Sequence, residues 1–313
     1  TLDTANALAD IIASRFTEDN TELVDINALR SEKTQLSFVK MQSCGNDYIF
    51  FDNMDGKITC PEALAINFVD RHYGIGGDGI VLIEKSNVAD AKMRIFNKDG
   101  SEGAMAGNSI RCVAKYLFDN GFVHNKKITI ETLSGVRELT LYTFSGKVGS
   151  VSVDMGKAVL EGALIPSTLT GEAVVDRSIE VGGQQYKVTL VNVGNPHCVV
   201  FCDKVDAVDI ANVGPLFEHA DYFPQRINAE FVRVVNDKTL KMRVWERGNG
   251  ETLACGTGAA ASVVAAVLNG YCKPDEDITV KLRGGDLIVR YASDGHVPLT
   301  GSVRLVYAGT VEF

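Results

Sequence analysis

A chain that repeats itself at a fixed spacing is constrained to fold as two copies of one unit, and this chain repeats at an ungapped offset of 149 residues. Gly45-Asn46 returns as Gly194-Asn195, Lys92-Met93-Arg94 as Lys241-Met242-Arg243, Glu102 as Glu251, Gly107 as Gly256 and Asn120-Gly121 as Asn269-Gly270. In that register Met105-Ala106-Gly107-Asn108 lies over Ala254-Cys255-Gly256-Thr257, each a turn of small residues leading into an apolar helix. Two equivalent turns around one cleft suit a reaction with two-fold symmetry at one atom, such as inversion of a carbon. The repeat breaks where chemistry is expected, because the thiol of Cys255 corresponds to the methyl of Ala106.

Composition bounds the partners. With 313 residues, 45% of them hydrophobic, the chain can build two cores of ordinary domain size. A net charge of −9 without blocks of like charge argues against nucleic acid and for a small-molecule partner. No apolar run reaches the roughly 18 residues that span a bilayer, and the start lacks a basic segment followed by an apolar one, so neither membrane insertion nor export is expected. Seven cysteines without a CxxC pair fit neither a disulfide framework nor a structural zinc site; a reducing cytoplasm is the expected location. His72, His124, His219 and His296 are scattered, and no metal site is expected. A homodimer stays open.

The chain divides into an N-terminal appendage, residues 1–33, and the two copies. The appendage carries Leu8, Ile11, Ile12 and Phe16 at the spacing of a short amphipathic helix. The first copy is assigned residues 34–150 plus 298–313 and the second 151–297, the final run crossing back to the first. Short β-type runs are expected at 36–41, 48–52, 80–83, 92–96, 128–133, 137–142 and 148–154, and again at 185–193, 197–201, 230–235 and 241–245. Helices are expected at 108–120, closed by Gly121, and at 259–268. The second reads AAASVVAAVL, small and apolar on every side, so it should be buried and wrapped by strands. The fold class is α/β (α+β): two pseudo-symmetric domains with the ligand at their junction.

ERGNGETLACGTG, residues 246–258, places a carboxylate, a guanidinium, four glycines and a cysteine between a strand and a helix. Cys255 stands where the helix begins, and free N–H groups with the positive end of the helix dipole favour a thiolate there. The amides of Gly256 and Thr257 can take a carboxylate instead. NKDGSEGAMAGN, residues 97–108, offers Asn97 and the amides of Gly107 and Asn108 at a second helix start. Two helix starts clamping one carboxylate would also steady the charge that develops during α-proton removal. His197 can orient a neighbour or fill the core, Cys198 and Cys202 share one face of a strand, and Asp78 in GIGGDG reads as a turn because the spacing fits no phosphate loop.

These blocks, together with GNDYIFFD (45–52), RHYGIGGDG (71–79), GNPHCVVF (194–201) and INAEFV (227–232), resemble the diaminopimelate epimerase family in their usual order, from about Leu36 to the end of the chain. The resemblance implies two curled, mostly antiparallel sheets or barrels, each around a central helix, and a two-base reaction without pyridoxal phosphate or any other cofactor. One cysteine removes the α-proton and a second returns a proton on the opposite face, interconverting LL- and meso-diaminopimelate for lysine and peptidoglycan synthesis. Cys255 matches the second cysteine, and Ala106 stands at the first. By the same resemblance the amides at Gly107, Asn108, Gly256 and Thr257 hold the α-carboxylate, while Asn46, Asn97, Asn195, Asn228, Glu246 and Arg247 orient the substrate. Lys98, Ser109 and Ser43-Cys44 depart from the family pattern, and Lys98 is the departure able to alter substrate choice.

A methyl group exchanges no proton, so the chain is expected to be an inactive or trapped form of an isomerase. Cys112, six residues further along the helix, lies about 9 Å away along the axis and cannot substitute. Ala106 admits three explanations: a replacement that traps substrate, a paralogue that keeps the cleft as a sensor, or altered chemistry. Racemisation of another amino acid such as histidine, and ligand binding without turnover, are the alternative functions.

Overall fold

The computed structural model describes residues 34–103 and 107–313. The appendage and its expected helix, and Ala106 itself, lie outside the described residues. Among the described residues, 34–36 and 310–313 belong to a small unit, in which Thr34 and Phe313 exchange backbone hydrogen bonds of 2.9 and 3.0 Å. The rest, Ser37–Gly309, forms the larger unit that carries the duplication.

The architecture is mixed α/β, with one curled 18-stranded sheet and four helices among the described residues. The first copy runs β1 (Gln35–Ser43), β2 (Asn46–Asp52), α1 (Pro61–Phe68), β3 (Gly79–Glu84), β4 (Ala91–Asn97), β5 (Glu102–Gly103), α2 (Gly107–Asp119), β6 (Lys127–Thr132), β7 (Gly135–Phe144) and β8 (Lys147–Lys157). The second runs β9 (Arg177–Val181), β10 (Gln184–Asn192), β11 (Pro196–Phe201), α3 (Ile210–Glu218), β12 (Asn228–Asn236), β13 (Thr239–Glu246), β14 (Gly250–Glu251), α4 (Gly256–Leu268), β15 (Asp277–Leu282), β16 (Gly285–Arg290) and β17 (His296–Ser302). β18 (Arg304–Glu312) returns to pair with β1, as the sequence suggested for the final run.

The repeat survives in three dimensions at the level of single residues. β10 covers the residues 149 places after β1, and α4 those 149 places after α2. Each copy has a parallel pair in the equivalent register, Tyr48 facing Gly79 between β2 and β3 and His197 facing Asn228 between β11 and β12, and a second parallel pair, β4 with β6 and β13 with β15. The copies join without a break where β8 pairs antiparallel with β17, Val153 facing Leu299. The expected boundaries at 150/151 and 297/298 therefore fall inside strands.

Each helix is buried for a reason visible in its residues. α2 turns Ile110, Val113, Ala114 and Leu117 to the sheet, and all four are fully buried. α4 is buried continuously from Gly258 to Ala266, as its small side chains on every face require. Both helices belong to one continuous apolar core, while Phe217, Phe223 and Phe231 anchor a second cluster under β9–β12 and α3. Sequence reading missed α1, α3, β9, β15–β17 and the two-residue strands β5 and β14. α1 and α3 are only 8 and 9 residues long. α3 also carries Pro215 in its interior, which obscures a helical pattern.

Candidate active site

A cavity of about 870 Å³ opens between the N-terminal ends of α2 and α4. From the first copy Asn46, Asn97, Gly107 and Asn108 line it; from the second, Asn195, Glu246, Cys255, Gly256 and Thr257. Gly103 and Gly107, which bracket the segment containing Ala106, both line it as well. The helix starts approach closely, since a side chain begun on Gly256 would stand 4.0 Å from Asn108 Oδ1. Two expected site residues stand back from the cavity. Asn228 is buried, donating to Pro196 O at 2.8 Å and accepting from the Arg247 amide at 2.9 Å. The Arg247 guanidinium donates to Gln225 O at 3.1 Å.

Cys255 caps α4, its Sγ accepting from the Gly258 amide at 3.3 Å and lying 3.4 Å from Thr257 Oγ1. The sequence expectation of a thiolate at this helix start is corrected by what surrounds it. Burial, then the carboxylates of Glu246 and Glu230, push the thiol upward, outweighing the Thr257 and Gly258 hydrogen bonds that favour the anion. The balance of these surroundings favours the protonated thiol. Glu230 comes near because residue 258 is glycine; a Cβ there would lie 2.8 Å from Glu230 Oε1 and 3.3 Å from Cys255 Sγ.

His197 lies fully buried between two acceptors, Nδ1 2.7 Å from Glu230 Oε1 and Nε2 2.8 Å from Asn195 Oδ1. Through Nε2 it contacts Asn195, a residue that lines the cavity. Glu246 accepts from Thr252 Oγ1, and burial raises its carboxyl above the ordinary value. Glu218 on α3 fixes the loop after β13, accepting from Trp245 Nε1 at 2.7 Å and the Gly248 amide at 2.9 Å.

The opposite wall holds the first copy's amides. Asn46 Nδ2 donates to Asp78 Oδ2 at 2.6 Å, and Asn108 Nδ2 donates to Asn46 Oδ1 at 3.3 Å. Asp78, read from sequence as a mere turn residue, lines the cavity and is held by Arg71 at 2.9 Å. Burial, followed by the Asp78 charge, raises the Tyr48 phenol to about 12, leaving it protonated at the cavity wall. Lys98 points elsewhere, paired with Asp70 at 2.8 Å. Cys112 is buried inside α2, and Cys198 packs in the second core cluster with Cys202 against it. No cluster of metal-ligating side chains occurs among the described residues, and none of their helices is long and apolar enough to cross a membrane.

The two copies are also tied behind the cavity. Within the second copy Gly284 donates to Leu253 O at 2.8 Å, and it is packed so tightly on the first copy that a Cβ on it would fall 1.9 Å from Cys44 O, a backbone atom that cannot swing away. Gly284→Ala is expected to destabilise the fold by at least about 3 kcal/mol, the upper range for overpacking, as read by urea unfolding. A loss below 1 kcal/mol would show that this junction yields easily.

The sequence profile of diaminopimelate epimerase matches residues 38–161 and 189–306. A diaminopimelate epimerase of Acetivibrio thermocellus is 48% identical over 278 residues, covering 88% of this chain and 99% of that protein. One of Methanococcus maripaludis is 45% identical over 278 residues, covering 88% and 100%. The chain belongs to the diaminopimelate epimerase family. It is accordingly an isomerase, of the epimerase and racemase type. Solved structures similar to it include a probable proline racemase from Agrobacterium radiobacter (TM-score 0.63, 16% identity, 88% of this chain and 92% of that one). A hydroxyproline epimerase from Agrobacterium vitis is comparable (TM-score 0.62, 16% identity, 89% and 93%). At such identities these two speak for the fold of the diaminopimelate epimerase family alone.

Proposed function

We propose that this chain binds diaminopimelate as its relatives' names imply, with one α-carbon between Cys255 and residue 106, and that Ala106 prevents it from inverting that carbon. The observation that carries this reading is Cys255 at the start of α4, with Gly103 and Gly107 across the same cavity. The α-carboxylate sits on the amides of Gly107, Asn108, Gly256 and Thr257, where two helix starts favour negative charge. In the complete reaction a thiolate takes the α-proton, the electron pair left on carbon delocalises into that carboxylate, and the opposing thiol protonates the other face. The net result is inversion, with one proton gained and one lost. With a methyl at residue 106 only one of these partners is present. Asn46, Asn97, Asn195 and Glu246 orient the substrate from the cavity wall, and Asn228 and Arg247 act from behind it or after the loop moves. The two copies, 34–150 plus 298–313 and 151–297, serve as the two jaws.

Calorimetry decides between substrates. LL- and meso-diaminopimelate are expected to bind this chain while histidine and proline do not, and no turnover should accompany binding. Tight binding of histidine with none of diaminopimelate would replace the substrate assignment. Binding of diaminopimelate that persists without activity after Ala106→Cys would make the chain a receptor.

A further inference from the structure

The two copies repeat the backbone but not the buried charge. Arg111, in the second turn of α2, is fully buried, yet no carboxylate among the described residues pairs with it. Its Nη2 donates to Asn108 Oδ1 at 2.6 Å and to Ser43 Oγ at 2.8 Å, while Nε and Nη1 have no partner among the described residues. A Cβ on Gly107 would stand 4.0 Å from Nη1, so the unmatched donor sits behind the first turn of α2. The equivalent residue of the second copy is Ala260. Leaving a guanidinium buried with donors unused is costly, so its retention calls for a function.

Arginine only donates, so Asn108 must present its oxygen inward and its amide nitrogen toward Asn46. Asn46 then accepts from Asn108 and donates to Asp78. The two amides thus stand head to tail between a fixed cation and a fixed carboxylate, and neither can flip without placing donor against donor. Burial lowers the guanidinium from its ordinary value, as expected of a cation that lacks a local counterion.

We propose that Arg111 is the positioning residue for the substrate's α-carboxylate, holding the Asn108 amide nitrogen outward and lending its unpaired charge to the anion at Gly107 and Asn108. This rests on the carboxylate assignment above. The test compares this chain with Arg111→Lys and Arg111→Met, titrating LL-diaminopimelate by calorimetry and recording thermal unfolding without ligand. Arg111→Met should bind roughly 10- to 100-fold more weakly, the size of a lost charged hydrogen bond, and Arg111→Lys should recover most of that. The ligand-free Arg111→Met protein should melt no lower than the parent, because a merely structural arginine would leave a less stable fold and this one leaves a relieved charge. Equal binding by Arg111→Met, or equal losses in both variants, would overturn the inference while leaving the substrate assignment standing. A melting point several degrees lower would overturn it independently of any ligand. A parent chain that binds no diaminopimelate would end both.

Discussion

Ala106→Cys should raise interconversion of LL- and meso-diaminopimelate by at least 10²- to 10⁴-fold, the usual worth of one acid or base partner. The expectation follows from what surrounds the cavity. Cys255 is the only thiol among its described lining residues, and Cys112 is enclosed within α2. The carboxyl of Glu246 is engaged by Thr252 and stands on the same side as Cys255. It cannot serve the opposite face of the carbon. Cys255 itself faces Glu230 and Glu246. The assay needs a reducing agent, because two thiols converging on one carbon can also meet each other. A restored protein no faster than the parent would refute the assignment of residue 106.

Replacing Cys255 by alanine in the restored protein should lower turnover by a similar 10²- to 10⁴-fold, back to the level of the chain as it stands. The informative comparison is non-additive. Two thiols acting as one unit give a protein lacking both that is little worse than a protein lacking either, so the alanine pair should sit near the single variants. Independent contributions would instead multiply. If the Cys255→Ala variant kept a tenth or more of the restored activity, some other group would be supplying the second proton.

The duplication was the most legible part of the molecule. Its offset transferred from residues to the ends of α2 and α4 and to the register of β2–β3 and β3–β4, because a repeat constrains both copies alike, while the β1–β2 and β4–β6 pairings return one residue out of step. The fully apolar face of α4 likewise announced a helix inside a sheet. Charge was harder to read. Arg111 lies about 100° around the helix from Ile110 and so reads as the solvated edge of an amphipathic face. It is buried because Gly301 on β17 lets the strand close over it; a Cβ there would stand 2.9 Å from the guanidinium. Glu230 alternates along β12 like any strand residue, and only the absence of a Cβ at Gly258 brings it against Cys255. The thiolate expectation failed for that reason: a helix start is visible in sequence, while two carboxylates folded against it from β12 and β13 are not. Asp78 was taken for a turn because its partner Asn46 is 32 residues away.

The central claim is that residue 106 and Cys255 address one α-carbon from opposite sides, and isotope labelling tests it most directly. LL-diaminopimelate is incubated in deuterium oxide with the chain and with its Ala106→Cys variant, and the separated isomers are analysed by mass and proton resonance. The variant should yield meso product carrying one deuterium at the inverted carbon, with the remaining LL pool slower to label. The chain with alanine should form meso product at least about 10²-fold more slowly. Meso-diaminopimelate formed by the alanine chain at a rate matching the variant would contradict the two-thiol geometry outright.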